Sequence, residues 1–348
     1  MKESKVLHLI TLDKFISPLI DLLESQEYFN EHLFHISGDE LKFPVKRRGN
    51  TTFLKDYSNK FSAYLDLLKV LNKTEKIIIH GLIDIKIVVL LFFQPWLLKK
   101  CYWVMWGGDL YAYQLAERNW KWRFKEFFRR PVIKHMGHLV TYIEGDVALA
   151  RKWYGATGQY HECIMYTSNV YREYPVPGEP HNRINIQIGN SADPSNNHLE
   201  ILEQLLPLRD QNIAIYAPLS YGNQEYAQSI IKAGVEQFGE KFKPMTDFMP
   251  FDQYLEFLGK VDIAIFNHKR QQAMGNTITL LGLGKKVYLR DDVTPWKVFE
   301  KIGAKVYSTS NINLTPLDLE TMNHNQSIIK EHFSEKTLLA QLRNIFKE

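Results

Sequence analysis

Residues 184–206 read INIQIGNSADPSNNHLEILEQLL: an apolar run of strand type enters a loop of small residues, Gly189 to Ser195, and leaves it as a helical pattern. Backbone N–H groups and hydroxyls in such a loop, set at a helix start, can approach an anion closely. An ordinary strand-to-helix turn capped by Ser195 or Asn196 has the same local pattern. The arrangement recurs where the run 261–266 leads into NHKRQQAMGNT, residues 267–277, and then into an apolar helix. There two cations, Lys269 and Arg270, precede an amide-rich helix start, where dipole and hydrogen bonds together can hold a diphosphate. Neither loop matches a Walker sequence or the G-x-G-x-x-G dinucleotide fingerprint, so ATP hydrolysis and NAD redox chemistry lose their main support.

The same rhythm extends in both directions. Around these loops, runs 213–217, 242–244 and 286–290 read as further strands beside 184–188 and 261–266, with helical patterns at 196–206, 225–238, 251–258 and 277–283. Upstream, runs 6–12, 33–36, 77–80, 101–106 and 139–142 alternate with amphipathic segments such as 58–71 and 83–91. Alternation of this kind predicts parallel sheets with helices on both faces. A chain of 348 residues has room for two such domains. The stretch YPVPGEP, residues 174–180, interrupts the rhythm with prolines. The expectation is an α/β protein of two doubly wound, Rossmann-like domains, 1–173 and 184–323, joined by a linker over 174–183. A helical tail over 324–348 is expected to pack back toward the first domain. Ligand loops are expected at the carboxyl ends of the strands, facing a cleft.

Composition narrows the class. Hydrophobic residues at 45% and charged residues at 24% exclude disordered and low-complexity chains. Two cysteines, Cys101 and Cys163, make no disulfide framework, and no Cys/His spacing resembles a zinc site, which fits a reducing cytoplasm. Lys2, Glu3, Lys5 and His8 interrupt the N-terminal apolar residues, so no signal peptide is read there. His80, Asp84, Lys86, Gln94 and Pro95 likewise break the apolar stretch 77–98, which reads as a buried strand and helix rather than a membrane span. A net charge of +4 is too mild for a dedicated nucleic-acid binder, and no nucleic-acid partner is expected.

That charge is concentrated. Residues 117–130, ERNWKWRFKEFFRR, hold six Lys/Arg and two Glu, so 6 − 2 = +4. On a helix, Trp120, Phe124, Phe127 and Phe128 share one face while Arg118, Lys121, Lys125 and Arg129 lie along its side and back. Such a stripe suits an anionic membrane surface, with Trp120, Lys121, Arg123, Phe124, Lys125, Phe128, Arg129 and Arg130 as candidate contacts. A core-facing helix with a solvated basic back would look the same. Two further groups invite a catalytic reading. In WVMWGGDLY, residues 103–111, Asp109 follows a strand end and two glycines, placed to act as general base or simply as a helix cap. His80 closes another strand before Gly81, with a structural role open to it as well.

Taken together, His80-Gly81 before an apolar helix, WVMWGGDLY (103–111), IGNSADPSNNH (188–198) and QQAMGNT (271–277) resemble a known family in residues and order. It is the TDP-N-acetylfucosamine:lipid II N-acetylfucosaminyltransferases, glycosyltransferase family 56. The chain departs from that pattern at Gly108 and across 217–223. The resemblance implies a GT-B fold, in which the second half binds a nucleotide-sugar and the first a polyprenyl-diphosphate-linked glycan. It implies inverting transfer of a deoxy-amino sugar without metal or other cofactor, the TDP-sugar being substrate, at the cytoplasmic face of the bacterial inner membrane. Carried onto this chain, donor contacts are expected from Gly189, Asn190, Ser191, Arg270, Gln271, Gln272, Gly275, Asn276 and Thr277, with Tyr221 stacking on the base. Asp109, then His80, are the expected bases. A non-catalytic nucleotide-sugar or glycan binder on the same fold is the alternative.

Overall fold

The computed structural model describes residues 5–174 and 181–347. The chain forms two compact units, Met1–Ser168 with Glu335–Glu348, and Asn169–Ser334. Residues 175–180 of the expected linker lie outside the described residues. The division falls ahead of that linker because Tyr171 is already tied into the second unit. Its N–H donates to the Phe333 carbonyl at 2.8 Å and its hydroxyl to the Gly282 carbonyl at 2.9 Å.

The first unit is built on seven parallel strands: β1 (Val6–Thr11), β2 (His32–Ser37), β3 (Thr51–Phe53), β4 (Lys76–His80), β5 (Cys101–Val104), β6 (His138–Val140) and β7 (Gln159–His161). Their spatial order is β3-β2-β1-β4-β5-β6-β7. The second unit has six parallel strands: β8 (Ile184–Ile188), β9 (Ile213–Pro218), β10 (Phe242–Met245), β11 (Ile263–Phe266), β12 (Lys286–Leu289) and β13 (Tyr307–Ser308), ordered β10-β9-β8-β11-β12-β13. Runs such as Ile77-Ile78-Ile79 and Ile263-Ala264-Ile265 are buried on both faces, as a helix-covered parallel sheet requires. In each sheet the order reverses once, between β1 and β4 and between β8 and β11. Crossovers diverge there and open a crevice at the carboxyl ends of those strands. The strands that sequence pattern misses, β3, β7 and β13, are two or three residues long and lie at sheet edges. They are too short to show an apolar run.

The expected tail divides. The helix Leu319–His332 belongs to the second unit, where the Asn325 amide bonds the backbone of Lys305 in both directions, its Oδ1 accepting at 2.7 Å and its Nδ2 donating at 2.9 Å. The helix Glu335–Lys347 closes the first unit with the buried face Leu338, Leu342, Ile345 and Phe346. Among the described residues no helix is long and apolar enough to cross a membrane.

Candidate active site

In the second unit the two amide-rich loops follow β8 and β11, adjacent strands at the point of reversal. They are laced together. The Gln272 amide donates to Asn190 Oδ1 at 3.1 Å and to Ser191 Oγ at 3.4 Å, and its Oε1 accepts from Ser195 Oγ at 2.7 Å. Buried Asn196 is the hub: its Oδ1 takes the Asn190 N–H at 2.9 Å and lies 2.9 Å from His268 Nε2, while its Nδ2 reaches Ser191 Oγ at 3.3 Å. Burial depresses the His268 pKa to about 3, so the ring is neutral and its Nε2–H donates to Asn196. Gly189 holds φ +62°, and a Cβ there would collide with the His198 ring. That glycine is what lets the loop fold onto the imidazole.

The helix Met274–Gly282 starts three residues earlier than its sequence pattern indicates, from Ala273 in the left-handed region. Its first intrahelical bond runs from the Thr277 N–H to the Ala273 carbonyl, so the N–H groups of Met274, Gly275 and Asn276 stand outside the helical ladder. Together with the Ser191 hydroxyl, which accepts from two amides and keeps its own hydrogen, they are donors suited to a diphosphate. Two expected contacts are otherwise engaged. Thr277 is buried and its hydroxyl donates back to the Ala273 carbonyl at 3.1 Å. Arg270 spends its guanidinium on Asp193 Oδ2 at 3.3 Å and on the Gln271 carbonyl at 3.1 Å. Buried Gln271 Oε1 has no hydrogen-bond partner among the described residues, and the Asn276 side chain lies near the Tyr254 hydroxyl. Tyr221, 48% exposed, accepts from Asn190 Nδ2 at 3.0 Å.

In the first unit both expected bases are consumed internally. Asp109 is 2% exposed in the first turn of the helix Gly108–Leu115. Its Oδ2 accepts from the Leu82 N–H at 2.8 Å and the Trp103 indole N–H at 2.7 Å, and its Oδ1 from the N–H groups of Trp106 and Leu110 at 3.0 and 2.9 Å. Four donors on two oxygens make it a clamp between the ends of β4 and β5, the capping reading in extended form. His80, 1% exposed, is one link of a buried chain. Its Nδ1 lies 2.7 Å from the Tyr166 hydroxyl and its Nε2 lies 2.9 Å from His8 Nδ1, while His8 Nε2 lies 2.8 Å from His32 Nδ1. Tyr166 also accepts the Trp106 indole N–H at 2.7 Å. A tyrosine has one hydrogen to give, so it goes to His80 Nδ1, and each histidine then donates from Nε2 to the next. Burial lowers the His80 pKa to about 3 and the His32 pKa to about 4. Neutral, with both ring nitrogens engaged, His80 is held within this buried chain.

The basic segment forms the helix Trp120–Lys134, continuing through Pro131. Trp120, Phe124 and Phe127 are 72%, 57% and 65% exposed, and with the exposed Phe93 they leave an aromatic face uncovered by the first unit. Lys121, Arg123 and Lys125 are exposed beside it. Phe128 is half-buried against Phe92 and Phe93, and exposed Arg130 leans over the rings of Tyr113 and Tyr154. Arg129 is no surface contact: buried, it donates to the Asp109 carbonyl at 2.6 Å and pairs with Glu126 at 3.5 Å.

Comparison with known proteins decides the family. A model described as 4-alpha-L-fucosyltransferase, glycosyl transferase group 56, matches residues 28–313. The chain belongs to that family. It is a glycosyltransferase with the GT-B fold. Solved structures similar to this member of group 56 include a glycosyltransferase from Rickettsia africae, 12% identical over 100% of this chain and 98% of that one, with a TM-score of 0.64. Anabaena HepE, solved with UDP and glucose, is 12% identical over 99% and 100%, with a TM-score of 0.66. WaaG, a glycosyltransferase of lipopolysaccharide biosynthesis, is 11% identical over 98% and 94%, with a TM-score of 0.58.

Sequence reading named Asn196 only as a cap, and assigned no role to His198 and His268 under the second-unit loops or to Tyr166 in the first. Both histidines lie within the two loops that pattern singles out, His198 at the end of 188–198 and His268 in 267–277. The rule that singled out Asp109, an acidic group just past a strand end, also applies to Asp13 after β1. Asp13 is half-buried, and its Oδ1 accepts the Lys14 N–H at 2.6 Å.

Proposed function

We propose that this glycosyltransferase moves a deoxy-amino sugar from a TDP carrier to a polyprenyl-diphosphate-linked saccharide, with inversion and without a metal. The observation that carries the donor half is the pair of laced loops after β8 and β11, with the helix N–H groups of residues 274–276 beside them. In the absence of a metal, charge developing on the leaving diphosphate must be met by fixed N–H and O–H donors, and this loop pair supplies them. HepE, of the same fold, was solved with UDP and glucose, which supports a nucleoside-diphosphate sugar as donor. Tyr221, 48% exposed beside the first loop, is the residue we assign to the nucleobase.

The acceptor half rests on the helix Trp120–Lys134. Exposed aromatic rings beside exposed cations suit the headgroup boundary of an anionic leaflet, where a lipid-linked acceptor resides. We place the enzyme peripherally on the cytoplasmic face of the inner membrane, in surface polysaccharide synthesis. The test is incubation of purified protein with TDP-sugars and a polyprenyl-diphosphate saccharide, with and without chelator. Acceptor-dependent TDP release that survives chelation supports the reading. Binding of TDP-sugar without any release, over several donors, would favour a non-catalytic binder.

A further inference from the structure

Asp109 and His80 are locked into the framework, which leaves inverting transfer, as proposed above, without a base. The same sheet edge offers another carboxylate. β1 and β4 are the strands between which the first sheet reverses, and Ile10 pairs with His80, so Asp13 lies three residues past the last paired position, at the carboxyl end where ligands enter such sheets. The walls there are aromatic. Phe15 packs edge-on to Trp106 at 4.8 Å and against Tyr166 at 4.5 Å between ring centroids. Burial first and, more weakly, the Asp109 and Asp13 carboxylates hold the Tyr166 phenol neutral, which puts Asp13 within electrostatic reach of this cluster. A cavity of about 20 Å³, lined in part by Thr11, Ser37 and Gly81, opens at the same strand ends. Among the described residues Asp13 forms no ion pair, and the Lys14 N–H is the one donor found on its carboxylate. Its accepting capacity is therefore largely unspent, whereas that of Asp109 is filled.

We infer that Asp13 is the catalytic base of this enzyme. As the acceptor hydroxyl oxygen bonds to the anomeric carbon, its proton passes to the Asp13 carboxylate. The bond from that carbon to the diphosphate oxygen breaks, and its electron pair leaves with the nucleoside diphosphate. The acceptor hydroxyl approaches beside Phe15 and Trp106, whose positions are set by Tyr166, the histidine chain and the Asp109 clamp. These are positioning residues; Asp13 alone exchanges a proton with substrate.

The inference rests on the transfer reaction proposed above, and the experiment separates the two. Wild type, Asp13→Asn, Asp13→Ala and Asp13→Glu are compared for TDP affinity by calorimetry, for melting temperature, and for acceptor-dependent TDP release against pH. Asp13→Asn is expected to keep its melting temperature and TDP affinity while turnover falls 10²- to 10⁴-fold. The acidic limb of the wild-type kcat/KM profile should disappear with it, and formate should restore part of the Asp13→Ala activity. Retention by Asp13→Asn of more than a tenth of wild-type turnover overturns the assignment alone. An Asn variant that loses melting temperature, with no rescue of Asp13→Ala by formate, also overturns it, in favour of a structural role. A wild type that binds TDP-sugar and never releases TDP overturns the transfer reading, and the base with it.

Discussion

Gly81 lies directly against the indole of Trp106: a Cβ built on Gly81 would sit 2.9 Å from the indole Cδ2, and the glycine holds φ +79°. This contact explains why a glycine follows His80. The residue after β4 must turn in the left-handed region and leave room for an aromatic ring, and only a residue without Cβ does both.

Gly81→Ala should therefore cost about 1–3 kcal/mol in unfolding free energy, from backbone strain and the displaced indole together. Urea titration measures it. A midpoint equal to wild type would mean that Trp106 has somewhere else to go.

Asp109→Asn should behave as a folding lesion. Replacing one carboxylate oxygen by an NH₂ group turns a donor toward N–H groups of Leu82 and Trp103, or of Trp106 and Leu110, at a cost of about 3 kcal/mol. Loss of activity in a variant whose melting temperature is unchanged would restore Asp109 to the chemistry.

The chain His80–His8–His32 sets a pH dependence. All three groups titrate well below the ordinary 6.5 because burial disfavours the imidazolium, so the unfolded state binds more protons than the folded one as pH drops. Stability is whole above pH 6.5 and falls as pH goes from there toward 4, by at most about 1.4 kcal/mol per pH unit for each histidine. Urea midpoints for the first unit at pH 7.5 and pH 5.0, followed through tryptophan fluorescence, test this. Equal midpoints would show that the chain is not buried neutral.

Gly275→Val should weaken TDP binding at least tenfold, or about 1.4 kcal/mol, because a branched side chain at the second helical position obstructs approach to the free N–H groups of residues 274–276. Calorimetry on the folded variant decides it, and unchanged affinity moves the diphosphate elsewhere. Arg270→Ala should have the smaller effect, since its guanidinium already serves Asp193.

Reversing Lys121, Arg123 and Lys125 to Glu should reduce sedimentation with anionic liposomes, most at low ionic strength, at roughly 1 kcal/mol per cation. Changing Trp120, Phe124 and Phe127 to Ser should weaken binding at high salt as well. Arg129 is left out of the set because its loss would uncouple the helix from Asp109. Wild-type sedimentation by the charge-reversed protein would remove this helix as the anchor.

The fold was legible in the sequence where apolar runs were long enough to be buried on both faces, as in β1, β4, β8 and β11. The positions of the two amide-rich loops followed from it, because a strand that ends in small residues before a helix start can end in little else. Asp109 and His80 were found as residues, but their internal partners were not. A carboxylate after a strand end looks the same whether its oxygens face substrate or four N–H groups, and only the tertiary partners, Leu82 and Trp103 among them, distinguish the cases. Arg129 was misread for the same reason: helical periodicity places it beside Lys125, yet its charge turns inward to a backbone carbonyl.

The helix Glu335–Lys347 gives the order of synthesis a physical consequence. Phe346 caps the histidine chain, its ring 4.6 Å from that of His32, yet it is translated only after the whole of the second unit. On the ribosome the nascent first unit must wait with the docking groove for Leu338, Leu342 and Ile345 open to water. The second unit, contiguous in sequence, can fold meanwhile. The unit begun first is thus the one completed last, and a chaperone would find its apolar target in that interval.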